Sequence, residues 1–272
     1  MKVLIIGHKG MLGSELVKVF NDLDLTTWDT DDIDITNKDK TFSKIKALKP
    51  EVVINAAAYT AVDDCEEKQE IALAVNGEGP GNLALVAKKL DALLIHYSTD
   101  YIFSGEKEDG YDEEFNKIDP VNIYGESKAV GESKIKESGC KYYIVRTAWL
   151  YGAGGNNFVD TMIKLGIEKN EMKIVDDQHG CPTYAVDLAM MTRKMVDEKK
   201  DTGIYHVTNF GHCTWYEFAN EIFKLKNIEV KIIPCKSDEF PRPAKRPKYS
   251  ILINTKLDQA RSWQEALKEY LS

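Results

Sequence analysis

An α/β fold, organised as a doubly wound parallel sheet with a smaller second part, is predicted by three observations. Short apolar runs recur along the first 150 residues, separated by stretches with helical spacing. The first run ends in a glycine-rich turn that leads straight into a helical stretch. After Gly152 the alternation gives way to shorter strands, turn-rich loops and a proline-rich segment.

The elements follow in order. Lys2–Gly7 reads as a buried strand. Gly7, Gly10 and Gly13 then give the spacing GxxGxxG, and SELVKVF has helical periodicity. Glycines here let the backbone approach a pyrophosphate, while the helix offers free N–H groups and the positive end of its dipole. This is the opening of a Rossmann-type dinucleotide-binding domain. Asp24–Asp29 reads as the second strand. Asp29 lies about 20 residues beyond the glycines, where an acid binds a ribose 2′-hydroxyl. Asp31, Asp32 and Asp34 continue the acidic run with no Lys or Arg in it, which favours NADH and leaves NADPH as the alternative.

Asp39–Leu48 is expected as a helix ended by Pro50, and Glu51–Asn55 as the third strand. Ala56, Ala57, Ala58 and Tyr59 follow. Small side chains at a strand end leave the backbone open to a flat ring or ribose, and also suit simple close packing. Asp63–Val75 and Gly81–Leu90 read as helices with Asn76, counted among the cofactor contacts, between them. The fourth strand, Ala92–Tyr97, runs into Ser98, Thr99 and Asp100, at the carboxyl end where open α/β sheets bind ligands. Ser104–Asp119 is a polar surface loop, and Lys141–Thr147 is a fifth strand.

Further on, helices are expected at Asn156–Lys169, Asp187–Glu198, Thr214–Leu225 and Trp263–Tyr270, with short strands at Met172–Val175, Ile204–Val207 and Val230–Pro234. Glu239–Lys248 places three prolines among basic residues, as in an extended loop that orders on binding, or a lid. The expected division is an NAD(P)-binding domain over 1–150 and a smaller substrate-binding part over 151–272, interleaved with the first.

Composition narrows the function. At 43% hydrophobic and 29% charged, the chain is that of a globular protein. It has no apolar run of about 18 residues, so no membrane span is expected. A net charge of −8 disfavours a nucleic-acid partner. Five widely spaced cysteines with no CxxC argue against a disulfide framework or a zinc site and suit a reducing cytoplasm.

Between Asp119 and Glu132, Tyr124 and Lys128 stand four residues apart on a helical stretch, so both point to one face. A phenol beside a fixed cation is a candidate proton donor with a lowered pKa. Taken alone, the spacing favours the ordinary reading, a Tyr–Lys pair on a solvated helix surface.

Several motifs occur together: GxxGxxG at 7–13, NAAAYTAVD at 55–63, STDYIFSG at 98–105, YGESK at 124–128, RTAWLYG at 146–152, NNFVDTM at 156–162, DQHGCPT at 177–183 and AKRPKYS at 244–250. With these the chain resembles the dTDP-4-dehydrorhamnose reductase family of extended short-chain dehydrogenase/reductases, nearly end to end. The resemblance implies NAD(P)H-dependent reduction of the C4 ketone of a dTDP-linked 4-keto-6-deoxyhexose, in nucleotide-sugar and polysaccharide biosynthesis. It implies Tyr124 as proton donor, Lys128 as its electrostatic partner and ribose ligand, and Thr99 as the hydroxyl on the carbonyl. Gly10, Met11, Leu12, Asp29, Asp34, Ile35, Ala58, Tyr59, Thr60 and Tyr97 match cofactor contacts. Asp100 and Trp149 match substrate contacts, and Phe103, Asn157 and Arg246 are expected there too.

Some members of the family bind magnesium at a dimer contact through three glutamates. Glu15 and Glu269 match two of them, and the third position falls on Asp187, so magnesium and a homodimer are expected only if a shorter carboxylate serves. Related 4,6-dehydratases carry Thr-Asp-Glu, whereas Tyr101 follows Asp100 here, which disfavours elimination. The alternatives within the same fold are another nucleotide-sugar epimerase or reductase, and a cofactor-binding regulatory subunit without turnover.

Overall fold

A computed structural model describes residues 1–272. In the first half, the order is β1 (Lys2–Ile6), α1 (Met11–Val19), β2 (Asp24–Trp28), α2 (Lys38–Leu48), β3 (Val52–Asn55), α3 (Val62–Glu67), α4 (Gln69–Ala72), α5 (Gly79–Leu90), β4 (Leu93–Thr99), α6 (Ile123–Ser138) and β5 (Lys141–Thr147). The second half runs β6 (Leu150–Tyr151), α7 (Phe158–Glu168), β7 (Glu171–Val175), β8 (His179–Gly180), β9 (Thr183–Tyr184), α8 (Ala185–Asp197), β10 (Gly203–His206), β11 (Cys213–Thr214), α9 (Trp215–Lys226), β12 (Lys231–Cys235) and α10 (Trp263–Leu271).

Six parallel strands form the main sheet in the order β10-β5-β4-β3-β1-β2. Because side chains alternate along a strand, β1 sends Val3 and Ile5 to one face and Leu4 and Ile6 to the other. The first pair packs with Leu16 of α1, Phe20 at its C-terminal cap, and Leu188 of α8. The second packs with Leu83 and Val86 of α5 and Ile135 of α6. Both faces are thus covered, which is why the strands read as continuous apolar runs. β10 and α8 lie beyond residue 150 yet belong to this sheet and its packing. The chain direction reverses between β1 and β3, and the crevice above that point is where such sheets bind ligands.

A third core, with Val159, Phe218, Ile222 and Trp263, joins α7, α9 and α10. It stands over the carboxyl ends of the sheet and walls a second cleft.

The segment around Asn76 differs from expectation. It is not a link between helices but a π-helical turn, Leu73–Glu78, continuous with α4 and α5. The extra residue in such a turn displaces the register locally. Asn76 then takes the N–H of Tyr59 at 2.8 Å and donates to the Tyr59 carbonyl at 2.9 Å and to Ser127 Oγ at 3.1 Å.

Candidate active site

The first cleft, about 580 Å³, lies over β1 and β3 and is lined by Gly7, Lys9, Gly10, Asp29, Ile35 and Ala57, among others. Its floor demands glycine. Gly7 has φ +85°, and a Cβ there would lie 2.7 Å from the Ala57 nitrogen. At Gly13 a Cβ would fall 2.0 Å from the Gly7 carbonyl oxygen, so helix α1 could not pack against the turn with any side chain. Gly10 caps α1, whose first N–H groups face the turn without intrahelical partners. The open backbone and the helix end fit a dinucleotide pyrophosphate.

Asp29 directly follows β2 at the rim of this cleft. Burial works to raise its pKa, but the N–H groups of Thr30, at 2.8 Å, and Lys9, at 3.0 Å, hold it below the usual carboxylate range. The expectation that no cation stands here is corrected. Lys9 folds over from the glycine turn to Asp31 at 2.6 Å, and His8 Nδ1 lies 3.9 Å from Asp29. Sequence order separates these groups by some 20 residues, and the parallel pairing of β1 with β2 brings them together.

Several expected cofactor contacts present only backbone. The side chains of Leu12 and Ile35 are buried in the two cores. Tyr97 points its ring into the core and bonds Thr192 Oγ1 at 2.8 Å, leaving only its carbonyl toward the site. Asp34 is spent on its own turn, accepting from Thr36 N and Oγ1 at 3.0 and 2.7 Å. Tyr59 gives its hydroxyl to Asp64, while Thr60 is exposed. The side chain of Met11 packs on Gly152 and Gly155.

Between the two clefts, at the end of β4, stand Thr99, Asp100 and Tyr124. Thr99 Oγ1 donates to Asp100 Oδ1 at 2.9 Å. Burial raises the Asp100 carboxyl to about 6, against the pull of the Ser250 and Thr99 hydroxyls. Tyr124 begins α6, which Asn122 caps by accepting from Gly125 N at 2.8 Å. Gly125 is required, because a Cβ would meet the Tyr101 carbonyl oxygen at 2.1 Å.

The Tyr124–Lys128 pair is not the simple couple its spacing suggests. Lys128 is 2% exposed, and its Nζ donates to the Tyr97 carbonyl at 2.5 Å. Burial lowers the Lys128 pKa to about 8, with Glu132 pulling it back up. The Tyr124 phenol is pushed up, not down, by burial and by the charge of Asp100, with the Thr99 hydroxyl acting the other way. In the protein alone the phenol is therefore held firmly protonated.

The second cleft, about 500 Å³, is lined by Tyr101, Phe158, Gln178, Trp215, Phe240 and Arg242, among others. Tyr101 meets Tyr124 edge-on at 6.1 Å. Trp149 stacks on Trp215 with centroids 3.4 Å apart. Its backbone is left-handed, φ 45°, and its indole lies over Gly180, where a Cβ would come within 2.3 Å. That glycine is why DQHGC can seat a tryptophan.

Two other expected substrate contacts, Phe103 and Asn157, are corrected. Phe103 is fully buried, stacked on Tyr111 at 4.2 Å within a separate core. Asn157 caps α7, accepting from Asp160 N at 3.0 Å and donating to the Gly152 carbonyl at 3.0 Å. Arg246 does line the second cleft, where it pairs with Asp63 at 2.9 Å, and Ala244 N donates to the same carboxylate at 3.2 Å. The proline-rich loop is thus already pinned, and Asn122 Nδ2 holds it again through the Lys245 carbonyl at 2.8 Å.

Magnesium does not fit. Arg261 takes Asp187 at 2.8 Å and also binds Glu269, so a guanidinium fills the place between them. Glu15 pairs with Lys18 at 2.8 Å. No three Asp, Glu, His or Cys side chains gather anywhere as a metal site.

Trp215 and Phe240 were not expected in this cleft. Tyr101 and Gln178 lie within the STDYIFSG and DQHGCPT motifs without a role expected of them, and Arg242 belongs to the basic, proline-rich segment expected to face a substrate pyrophosphate; only the folding of α9 and that loop over the sheet brings them together.

The fold and site define a Rossmann-type reductase with a Tyr–Lys helix between a dinucleotide cleft and a second, aromatic cleft. The sequence pattern described as "RmlD substrate binding domain" matches residues 1–272. The chain belongs to that family. A crystal structure of a dTDP-4-dehydrorhamnose reductase from Clostridium acetobutylicum is 48% identical, superposes with a TM-score of 0.96, and is covered over 98% of its length by all of this chain. One from Bacillus anthracis, in complex with NADP, is 42% identical with a TM-score of 0.95 and 99% coverage of both chains. The dTDP-4-dehydrorhamnose reductase of Streptomyces griseus is 39% identical over 98% of this chain and 91% of its own.

Proposed function

We propose that the protein reduces the C4 ketone of dTDP-4-dehydro-6-deoxy-L-mannose to dTDP-L-rhamnose with a reduced nicotinamide cofactor, in nucleotide-sugar biosynthesis. The observation that carries this is Thr99, Asp100 and Tyr124 at the carboxyl end of β4, between the two clefts.

Bound nicotinamide supplies the hydride. The protein does the rest. The glycine turn and the α1 N-terminus hold the pyrophosphate, and Asp29 takes ribose hydroxyls. Tyr124 keeps its proton until an alkoxide forms beside it, then delivers it. Thr99 donates to the same oxygen as charge develops there, an oxyanion-type contact typically worth about 2.7–4 kcal/mol. Lys128 sets its charge below the phenol and helps stabilise the phenolate left behind. Trp149 and Trp215 offer an apolar wall, while Arg242 offers positive charge to the substrate diphosphate. The second cleft is drawn largely from residues beyond 150, so we assign substrate binding to 151–272.

We assign the protein to both NADH and NADPH. Asp29 suits the free 2′-hydroxyl, and Lys9 can leave Asp31 for a 2′-phosphate. No helix is long and apolar enough to cross a membrane. Five free, buried cysteines support action in a reducing cytoplasm. A homodimer bridged by metal has no support in Glu15, Asp187 and Glu269.

The test is direct. Purified protein is incubated with NADH or NADPH and the dTDP-4-keto-6-deoxy-L-hexose, and nicotinamide absorbance is followed. Folded protein that binds cofactor but oxidises none would end the reductase reading and favour a regulatory subunit. Tight retention of cofactor with interconversion of sugar epimers would favour an epimerase.

A further inference from the structure

His96 lies in β4 directly beneath the site, 1% exposed, and none of the steps above uses it. Its neighbours fix its proton. Ala57 N–H donates to Asn55 Oδ1 at 3.2 Å, which orients the amide so that its Nδ2 faces His96 Nδ1 at 3.0 Å. An amide nitrogen only donates, so Nδ1 is bare and the neutral ring keeps its proton on Nε2. That Nε2 lies 3.5 Å from Lys128 Nζ. Lys128 therefore meets an N–H where a lysine partner ordinarily offers an acceptor. Charging the ring would set a second N–H against the Asn55 amide, and burial together with the Lys128 charge keeps the imidazole neutral, well below its usual pKa.

We propose that His96 is a positioning residue for the reduction: locked by Asn55 as the Nε2–H tautomer, it weakens the hold of Lys128 on its proton and steers the ammonium to the Tyr97 carbonyl. This rests on the reductase reading. Lys128 has few other charges around it. Glu132 stands one turn along its own helix, with Arg146 of β5 paired behind it. One turn back along α6 is Tyr124, itself faced by Asp100 and Cys65. Glu132 strengthens the hold of Lys128 on its proton, and the His96 N–H opposes it from the other side. An amine poised in this way gives up and regains its proton near neutral pH, one turn along α6 from the phenol that must be recharged each turnover.

Two measurements test this. Nitrogen-15 NMR of histidine-labelled protein reads the tautomer without any mutation. His96 is expected as Nε2–H from about pH 6 to about pH 9. A proton on Nδ1, or a ring that titrates as an ordinary histidine, overturns the proposal. The second is the pH profile of kcat for His96→Gln, whose amide can turn a carbonyl to Lys128, and for Asn55→Asp, which reverses the tautomer. In both, the alkaline limb is expected to move up by roughly half a unit or more. A lower kcat with an unmoved limb marks a merely structural histidine and overturns the proposal. Wild-type protein without turnover overturns the reductase reading instead, and the tautomer is still read independently.

Discussion

The guanidinium of Arg146 meets both oxygens of Glu132, at 2.9 and 2.8 Å, and both side chains are about 1% exposed. Arg146 is on β5 and Glu132 is one turn beyond Lys128 on α6, so the pair ties the site helix to the sheet. Phe103 lies 5.1 Å from the same guanidinium, and neutral His206 closes its far side at 3.4 Å. Arg146→Leu leaves a buried carboxylate unpaired. It is expected to cost about 3–5 kcal/mol of unfolding free energy, read by urea denaturation. The double variant with Glu132→Leu is expected to recover much of that loss.

Tyr124→Phe removes the proton and little else, since the ring keeps its edge contact with Tyr101. Cofactor binding, measured by fluorescence titration, is expected to stay within about 2-fold, and kcat to fall by roughly 10²–10⁴. Normal turnover in this variant would remove the phenol from the mechanism.

Thr99→Val deletes the hydroxyl that donates to Asp100 and reaches the Tyr124 phenol. A fall in kcat of roughly 10²–10³ is expected, with a smaller change in KM.

Asp100 gives a pH dependence with a definite sign. Its folded pKa, about 6, is above the ordinary 3.8, so folding favours the protonated acid. That contribution is full below about 3.8 and is lost as pH rises through about 6. Asp100→Asn is therefore expected to stabilise the fold at neutral pH, by something on the order of 3 kcal/mol, and hardly at all near pH 4. Thermal melts at the two pH values check it. An equal effect at both would refute the burial argument.

Lys9→Ala leaves Asp29 and the backbone N–H of residue 9 that it accepts in place. KM for NADPH is expected to rise roughly 3–10-fold while that for NADH changes little. Equal changes for both cofactors would show that Lys9 does not sense the 2′-position.

Much of this was legible along the chain. The parallel sheet followed from apolar runs that only two-sided burial explains, and the glycine turn followed from backbone approaches no side chain allows. Motifs drew attention to Thr99, Tyr124 and Lys128, which the fold gathers at the carboxyl end of β4 and the start of α6. What the chain could not disclose were pairings across it. Lys9 with Asp31, Arg246 with Asp63 and Arg261 with Asp187 each join residues whose separation is set by strand order and loop path. Phe103 was misplaced, and the ring of Tyr97 turns away from the site, because a motif specifies the residue but not the face it turns to. The raised pKa of Tyr124 was missed because the nearest cation is aimed at a carbonyl, a matter of rotamer rather than spacing.

The position of β10 has a consequence for biosynthesis. The sheet is not finished until residue 206 has left the ribosome, because β10 covers the outer edge of β5. Until then the nascent chain exposes a row of unpaired amide and carbonyl groups over Lys141–Thr147, a template for wrong pairing with other chains. A fragment ending at 150 would therefore carry an open sheet edge, an aggregation hazard that the complete sheet covers with β10.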